Sequence, residues 1–280
     1  MERTSIRLGG IELASPVMNA SGPHSAEKGE IYELSARHAG AVLFKSCNVA
    51  GLEAPDNLKN RGVEHFAALA RELTERGKTV FGSVVGDNDG ELVTVAKILE
   101  SAGVKALELN LADEYVQNSV GAFASLDRLQ DVIGRVRREV QAVLAVKVPP
   151  KLLLEPRAVA DLFNRLGVAI AVCANDLAKD VTIDLRTGMV PGVPRTVSQV
   201  HAFFQAGGGQ LDVVAVGGIN GGRDAYTAHL SGAKAVQVGS ALITEGAGAL
   251  GRIDRELDTL LGENGKSSVN EIIGALRFQG

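Results

Sequence analysis

The 280-residue sequence predicts an α/β fold, a (β/α)8 TIM barrel with an N-terminal β-hairpin. Eight short apolar runs alternate with segments of helical periodicity, and each run is continuously apolar rather than alternating. Strands that are apolar on both faces are typical of a parallel sheet covered on both sides. Eight strand–helix units in a row favour closure of that sheet into a barrel, with a doubly wound open sheet as the alternative.

The elements follow in a regular order. The stretch "SIRLGGIEL" predicts a hairpin that turns at Gly9-Gly10, since glycine tolerates the positive φ of a tight turn. The strands of the barrel are predicted at residues 16–20, 41–44, 79–85, 106–110, 144–148, 169–174, 212–216 and 235–238. The one long irregular stretch, residues 175–195, is typical of a functional loop, so a single domain is expected over residues 1–280.

Composition excludes several classes of protein. The net charge of -4 gives no basis for binding nucleic acid or an anionic membrane, and the sequence has no tryptophan for stacking on bases. No apolar run approaches the roughly 18 residues of a membrane span. Cys47 and Cys173 form neither a disulfide framework nor a zinc motif. We therefore expect a cytoplasmic protein that binds no metal.

Glycine-rich loops follow the last two predicted strands. "GGINGG" begins with Gly217 and Gly218, and "GSA" begins with Gly239 and Ser240. Backbone amides and a helix N-terminus together bind anions, and barrels frequently place a phosphate at these two loops. The alternative is a pair of tight turns without a ligand.

Two lysines are predicted at the same rim of the barrel. Lys147 lies inside the fifth strand between valines that face the helices, so its side chain is expected to point inward, and Lys45 follows the second strand. A buried lysine needs an anionic partner. That partner is either Glu108, in a structural ion pair, or the electron-rich ring of a phosphorylated cofactor such as reduced flavin mononucleotide (FMN).

At this point the sequence resembles the dihydroorotate dehydrogenase family, in the soluble branch that lacks a membrane-binding extension. The matching motifs cover nearly the whole chain in order. They are "NASG", "FKS", "LELNL", "VKVPP", "CAND" and "VVAVGGINGGRDAYTAHLSGAKAVQVGSAL".

The resemblance implies an FMN-dependent oxidoreductase that acts as a homodimer. It implies that the cofactor is bound by Ala20, Ser21, Gly22, Lys45, Ser46, Asn110, Lys147, Asn175, Gly217, Gly218, Gly239 and Ser240. It also implies that Asn60, Asn175 and Asp176 lie near the substrate, a small ring compound.

The sequence departs from the family where the substrate binds. In the soluble branch, "LNL" is followed by a Ser-Cys-Pro-Asn type segment whose cysteine removes a proton as hydride moves to the flavin. Here Asp113 stands in place of that cysteine and Tyr115 in place of the asparagine, so both become candidate catalytic residues beside Lys45. The family's substrate loop is also replaced by the shorter segment 57–66.

Three functions remain open at this stage. The first is an FMN-dependent oxidoreductase whose substrate is not dihydroorotate. The second is a non-redox phosphate-binding enzyme, an aldolase or isomerase that forms a Schiff base through Lys147 or Lys45. The third is an inert barrel subunit. Asp113 is either a base, for which burial near a flavin would raise its pKa, a group that selects substrate by charge, or part of a solvated loop.

Overall fold

A computed structural model describes residues 3–22, 24–37, 40–53, 58–175, 183–190 and 198–278. The chain starts with an antiparallel hairpin of β1 (Ile6–Leu8) and β2 (Ile11–Leu13), turning at Gly9-Gly10 as expected. Both glycines have positive φ, 55° and 87°. The predicted hairpin is confirmed.

Eight parallel strands form the central sheet, and the predicted barrel is confirmed. The barrel strands are β3 (Val17–Asn19), β4 (Val42–Leu43), β5 (Val80–Val84), β6 (Ala106–Leu109), β7 (Val143–Lys147), β8 (Val168–Ala174), β10 (Asp212–Val216) and β11 (Ala235–Val238). Two short strands, β9 (Met189–Val190) and the C-terminal β12 (Arg277–Phe278), lie outside the barrel. Their order in the barrel is β3-β11-β10-β8-β7-β6-β5-β4. Most strand residues are buried, because helices cover the outer face and side chains fill the interior.

The helices lie between the strands, with their apolar faces against the sheet. They are α1 (Lys28–Arg37), α2 (Val63–Glu75), α3 (Asp89–Ser101), α4 (Glu114–Ser119), α5 (Leu126–Glu139), α6 (Pro156–Leu166), α7 (Gln199–Gly207), α8 (Gly222–Ser231), α9 (Ser240–Glu245) and α10 (Gly248–Glu263). Capping side chains fix several of their starts: Asn88 accepts from the Glu91 amide and Ser125 from the Arg128 amide. No helix in the described ranges is long and apolar enough to cross a bilayer.

The Asn19 side chain joins β3 and β4, the two strands at the ends of this order. Asn19 is fully buried, and its amide nitrogen donates to the Leu43 carbonyl at 2.5 Å while its amide oxygen accepts from the Leu43 amide at 3.0 Å. The carboxamide thus substitutes for one rung of a parallel ladder. We call this contact the seam of the barrel.

The N-terminal hairpin covers the end of the barrel where the strands begin. The Gly9 amide donates to Asp212 at 2.8 Å, and a β-carbon at Gly9 would come within 2.7 Å of Val143. Leu8 is fully buried and helps to line an interior cavity of only about 10 Å³. The hairpin and the packed interior therefore close this end.

The C-terminal segment is tied to the connection after β8. β12 pairs in parallel with β9, with Arg277 opposite Met189 and Phe278 opposite Val190. The backbone of Gly188 has a φ of 73° and comes so close to Ala275 that a β-carbon there would lie 2.4 Å from the Ala275 carbonyl oxygen. This contact requires glycine at residue 188.

A buried histidine on α8 makes the fold sensitive to acid. His229 is fully buried, its Nδ1 lies 2.7 Å from the Ala233 carbonyl oxygen, and its Nε2 has no partner among the described residues. Burial lowers the pKa of His229 to about 4. In the unfolded chain this imidazole takes up a proton near pH 6.5. The contribution of the neutral imidazole to the free energy of unfolding is therefore fully present above that pH and is lost as the pH falls toward about 4.

Between pH 7 and pH 4, protonation of His229 is expected to lower the free energy of unfolding of the wild type by about 3 kcal/mol. His229→Gln should not show this decrease, because glutamine does not titrate. Urea unfolding at a series of pH values measures this slope. The same substitution at the half-exposed His65 controls for removal of a histidine. Equal slopes for wild type and His229→Gln would show that His229 does not limit acid stability.

Candidate active site

The strand ends gather polar side chains around one cleft at the rim opposite the hairpin. The cleft has a volume of about 620 Å³. Its lining comes from the loops after β3 and β4, from α1 and from α9, and comprises Gly22, His24, Ala26, Glu27, Glu30, Lys45, Glu53, Lys59, Asn60, Arg61 and Ile243. Three residues predicted from the sequence, Gly22, Lys45 and Asn60, are therefore brought together.

Lys45 lies at the edge of this cleft with a side chain that is nearly buried. Its backbone amide donates to the Ser25 carbonyl at 2.9 Å, which holds the loops after β3 and β4 together. Burial lowers the pKa of the Lys45 ammonium, while the carboxylates of Asp113 and Glu30 oppose that shift and Lys147 adds to it. Lys45 and Asp113, both predicted to be catalytic, are thus electrostatic neighbours.

Glu108 anchors a polar network inside the barrel below the rim. Its carboxylate accepts from Ser21 at 2.9 Å and from Gln237 at 2.6 Å. The ammonium of Lys147 lies 3.8 Å from the same carboxylate, so the structural ion pair considered above exists. The side chain of Lys147 remains 19% exposed, which leaves its ammonium able to meet a ligand as well.

A second set of contacts continues this network toward β4. Asn110 donates from its side-chain nitrogen to the Ser46 hydroxyl at 3.0 Å, and that hydroxyl lies 2.8 Å from the Ser83 hydroxyl. All three side chains are buried. Ser46 and Asn110 were predicted to contact the cofactor, and the network fixes their orientation.

The two glycine-rich loops form an open cradle. Gly217 and Gly218 have φ values of 97° and 70°, and a β-carbon at Gly217 would meet nothing within 4 Å. A β-carbon at Gly239 would lie 3.9 Å from its nearest neighbour, an atom of Ala20. A β-carbon at Gly22 would have no neighbour within 4 Å. A ligand can therefore approach the backbone closely at these three glycines.

The N-terminus of α8 contributes less to this cradle than the sequence indicated. Asp224 accepts from the amides of Asn220 and Gly221, and Glu256 accepts from the Gly222 amide at 2.7 Å. These carboxylates satisfy the first amides of the helix from within the chain. A phosphate would therefore have to use the amides around Gly217, Gly218, Gly239 and Ser240 instead.

Asn175 has a buried polar side chain at the end of a barrel strand. It follows β8, its side chain is 2% exposed, and neither its nitrogen nor its oxygen has a hydrogen-bond partner in the described part of the chain. An unpaired buried carboxamide costs roughly 1–3 kcal/mol for each group, so it is normally satisfied by something. Its predicted neighbour Asp176 lies outside the described residues.

Asp113 and Tyr115 lie together after β6 but use their polar atoms differently. Asp113 is half-buried and caps α4 by accepting from the Tyr115 amide at 3.0 Å. The Tyr115 hydroxyl donates to Asp87, and this hydrogen bond raises the pKa of Tyr115 to about 12. The catalytic role of each residue stays a prediction.

Asn60 is held within its own loop. Its side-chain nitrogen donates to the Leu58 carbonyl at 2.8 Å, and its side-chain oxygen accepts from the Gly62 amide at 2.9 Å. The carboxamide therefore stabilises the loop, a role that the sequence did not indicate. Its contact with a substrate stays a prediction.

The comparisons with known proteins agree with this geometry. The sequence model of the dihydroorotate dehydrogenase family matches residues 54–261. The chain belongs to the dihydroorotate dehydrogenase family. A relative from Streptococcus pneumoniae serotype 4, named "Probable dihydroorotate dehydrogenase A (fumarate)", is 26% identical over 309 residues, covering 99% of each chain.

A solved structure of the same family shares the fold. The dihydroorotate dehydrogenase of Eimeria tenella, solved in complex with ferulenol, has a TM-score of 0.78 at 18% identity and covers 98% of this chain and 89% of its own. The identities are low for all the relatives described, so membership of the family does not carry the substrate with it.

Several residues at the site had no signal in the sequence. Glu30 lies on α1 yet reaches the cleft and holds the amides of Ala26 and Glu27. His24 is the one non-glycine residue with positive φ in the described ranges, at 57°. His24 lies two residues after the "NASG" motif, and backbone conformations of this kind often occur at functional sites.

Proposed function

We propose that this chain is an FMN-dependent oxidoreductase that transfers hydride between a small ring compound and the flavin. The grouping of three features at one rim carries the proposal. The open cradle at Gly217 and Gly239, the Lys147 ammonium and the unpaired carboxamide of Asn175 all belong to strand ends of the same rim. Membership of the dihydroorotate dehydrogenase family supports the same cofactor.

The residues present fit FMN. Backbone amides around Gly217, Gly218, Gly239 and Ser240 would hold the phosphate, since small residues allow its close approach there. Ala20, Ser21 and Gly22, together with Lys45, Ser46, Asn110, Lys147 and Asn175, would surround the ring. When bound, FMN accepts or donates the hydride.

The side chains around the cofactor supply charge and proton transfer. Lys147, paired with Glu108, would supply a positive charge to stabilise a reduced flavin ring. Asp113, at the start of α4, takes a proton from the substrate as hydride leaves it. Lys45 interacts electrostatically with the Asp113 carboxylate.

We expect the purified protein to bind FMN at about one per chain, and Lys147→Ala to weaken this binding about tenfold or more, because a charge-assisted contact is lost. Flavin absorbance after reconstitution and desalting measures both. Lys97→Ala, which removes an exposed lysine paired with Glu139, is the matched control. Absence of flavin bands after reconstitution with excess FMN would contradict the proposal.

One observation favours the Schiff-base alternative. A lysine must be neutral to attack a carbonyl, and burial lowers the pKa of Lys45. Incubation with candidate carbonyl compounds and borohydride, followed by mass spectrometry, separates the two functions. A covalent adduct on Lys45 in a protein that fails to bind FMN would favour the aldolase or isomerase class.

The substrate is proposed to differ from dihydroorotate. The loop of residues 57–66 replaces the family's substrate loop, and Asn60 uses its carboxamide internally. The homodimer implied by the family resemblance also stays a proposal.

A further inference from the structure

Glu108 is a buried carboxylate that the proposed reaction does not use. It lies on β6 inside the barrel and is 3% exposed. Its Oε1 atom accepts from the Ser21 hydroxyl at 2.9 Å and from the Ser83 hydroxyl at 3.5 Å. Its Oε2 atom accepts from the side-chain nitrogen of Gln237 at 2.6 Å. These donors compensate for the cost of burying a negative charge in the barrel.

Lys147 lies above this carboxylate, on the side of the rim. The ammonium nitrogen is 3.8 Å from Oε1 of Glu108. Glu108 is opposite Ala145 in the register of β6 and β7, so Lys147, two residues later on β7, belongs to the next layer toward the strand ends. The lysine side chain is 19% exposed and the glutamate side chain is 3% exposed, which agrees with this order.

Little water can screen the charge of Glu108. Glu108 and Gln237 line an interior cavity of about 10 Å³, which is at the lower limit of the space that one water molecule needs. In such an interior the effective dielectric constant is far below that of water, so a charge acts over a longer distance. The negative charge of Glu108 therefore also acts on a ligand that meets Lys147 at the rim.

We propose that Glu108 is a positioning residue that holds Lys147 and offsets part of its charge, and thereby lowers the reduction potential of the bound flavin. This inference rests on the proposed FMN-dependent function. Lys147 by itself favours the reduced, negatively charged ring over the oxidised, neutral ring. Glu108 beneath it opposes that preference. The pair thus prevents the reduced flavin from becoming too stable to pass on its electrons.

Glu108→Gln tests this role because it removes the charge and nearly keeps the shape. The side-chain oxygen of Gln237 has no partner in the described part of the chain, so a rotated Gln237 carboxamide can accept from the introduced amide. We expect the Kd for reduced FMN, relative to the Kd for oxidised FMN, to fall at least about tenfold. Tenfold corresponds to a rise of about 30 mV in the two-electron reduction potential.

Two measurements and two further variants locate the effect. Anaerobic reduction beside a reference dye gives the potential, and titration of the apoprotein with oxidised and with reduced FMN gives the two Kd values. Glu139→Gln removes the same charge from an exposed pair with Lys97 and should leave the potential unchanged. Glu108→Asp keeps the charge but draws the carboxylate back from Lys147, so the potential should rise by less than in Glu108→Gln. Glu108→Asp also tests the inference if Glu108→Gln does not fold.

A double-mutant cycle tests whether Glu108 acts through Lys147. Lys147→Gln is expected to shift the ratio of the two Kd values at least about tenfold in the opposite direction, which lowers the potential by about 30 mV. In this background Glu108→Gln should raise the potential less than about half as much as it does in the wild type, because no ammonium remains to be held or offset. Equal shifts in the two backgrounds overturn the positioning role.

The outcomes separate this inference from the proposed function. Failure of the wild type to bind FMN overturns both. An FMN-loaded protein whose potential is the same in the wild type and in both Glu108 variants overturns this inference alone, and a loss of thermal stability without a change of potential would assign Glu108 to the barrel interior only. A fall of the potential in Glu108→Gln also overturns the inference, because the carboxylate would then not oppose the lysine.

Discussion

Asp113→Asn is expected to slow reduction of the bound flavin about a hundredfold or more, a free-energy change of about 2.7 kcal/mol in the barrier. The carboxylate stands at the first turn of α4, beside Lys45 and at the position of the family's base. Asparagine caps a helix as well as aspartate does, so the variant keeps the backbone contact to Tyr115 and loses only the base.

Stopped-flow absorbance measures this rate, with the ring compound that reduces the wild type fastest. Tyr115→Phe is the comparison, and a smaller change is expected there because the tyrosine hydroxyl is engaged by Asp87. Retained FMN absorbance shows that each variant is loaded. Equal rates for wild type and Asp113→Asn would assign Asp113 to helix capping and charge selection instead of proton transfer.

Asn19→Leu is expected to lower the free energy of unfolding by about 4 kcal/mol, because it leaves the buried amide and carbonyl of Leu43 without these hydrogen bonds. Leucine is close to asparagine in shape, so the change isolates the lost hydrogen bonds from any cavity. The seam should then open between β3 and β4, and the cofactor-lining residues that follow Asn19 should lose their register.

Urea unfolding followed by circular dichroism measures this change. Asn164→Leu makes the same substitution on α6, where the side-chain nitrogen donates to the Gly207 carbonyl at 3.5 Å. The control should cost under about 1 kcal/mol. A midpoint for Asn19→Leu that matches the control would mean that the barrel closes without the seam contact.

The fold could be predicted from the sequence because strands that are buried on both faces are recognisable as continuous apolar runs. Each apolar run was buried on both faces, and eight of them in series leave few arrangements. The seam did not follow. Asn19 sits in a motif of small polar residues, where its carboxamide resembles a ligand contact as much as a backbone partner.

The candidate site was predictable where a residue type has few uses. Paired glycines at strand ends and a lysine inside a strand each demand a specific environment, and the structure places Gly217 and Lys147 at one rim. Contacts between residues far apart in sequence were not predictable. Glu256, which is 34 residues away in sequence, accepts a hydrogen bond from the Gly222 amide at the start of α8. No local sequence pattern indicates this contact.

The closed end of the barrel has a consequence for kinetics. The N-terminal hairpin and the packed interior block one end of the barrel axis. If the proposed flavin binds at the opposite rim, the compound that gives up electrons and the compound that receives them would both enter from that side. We then expect turnover to alternate, with the first product leaving before the second reactant enters.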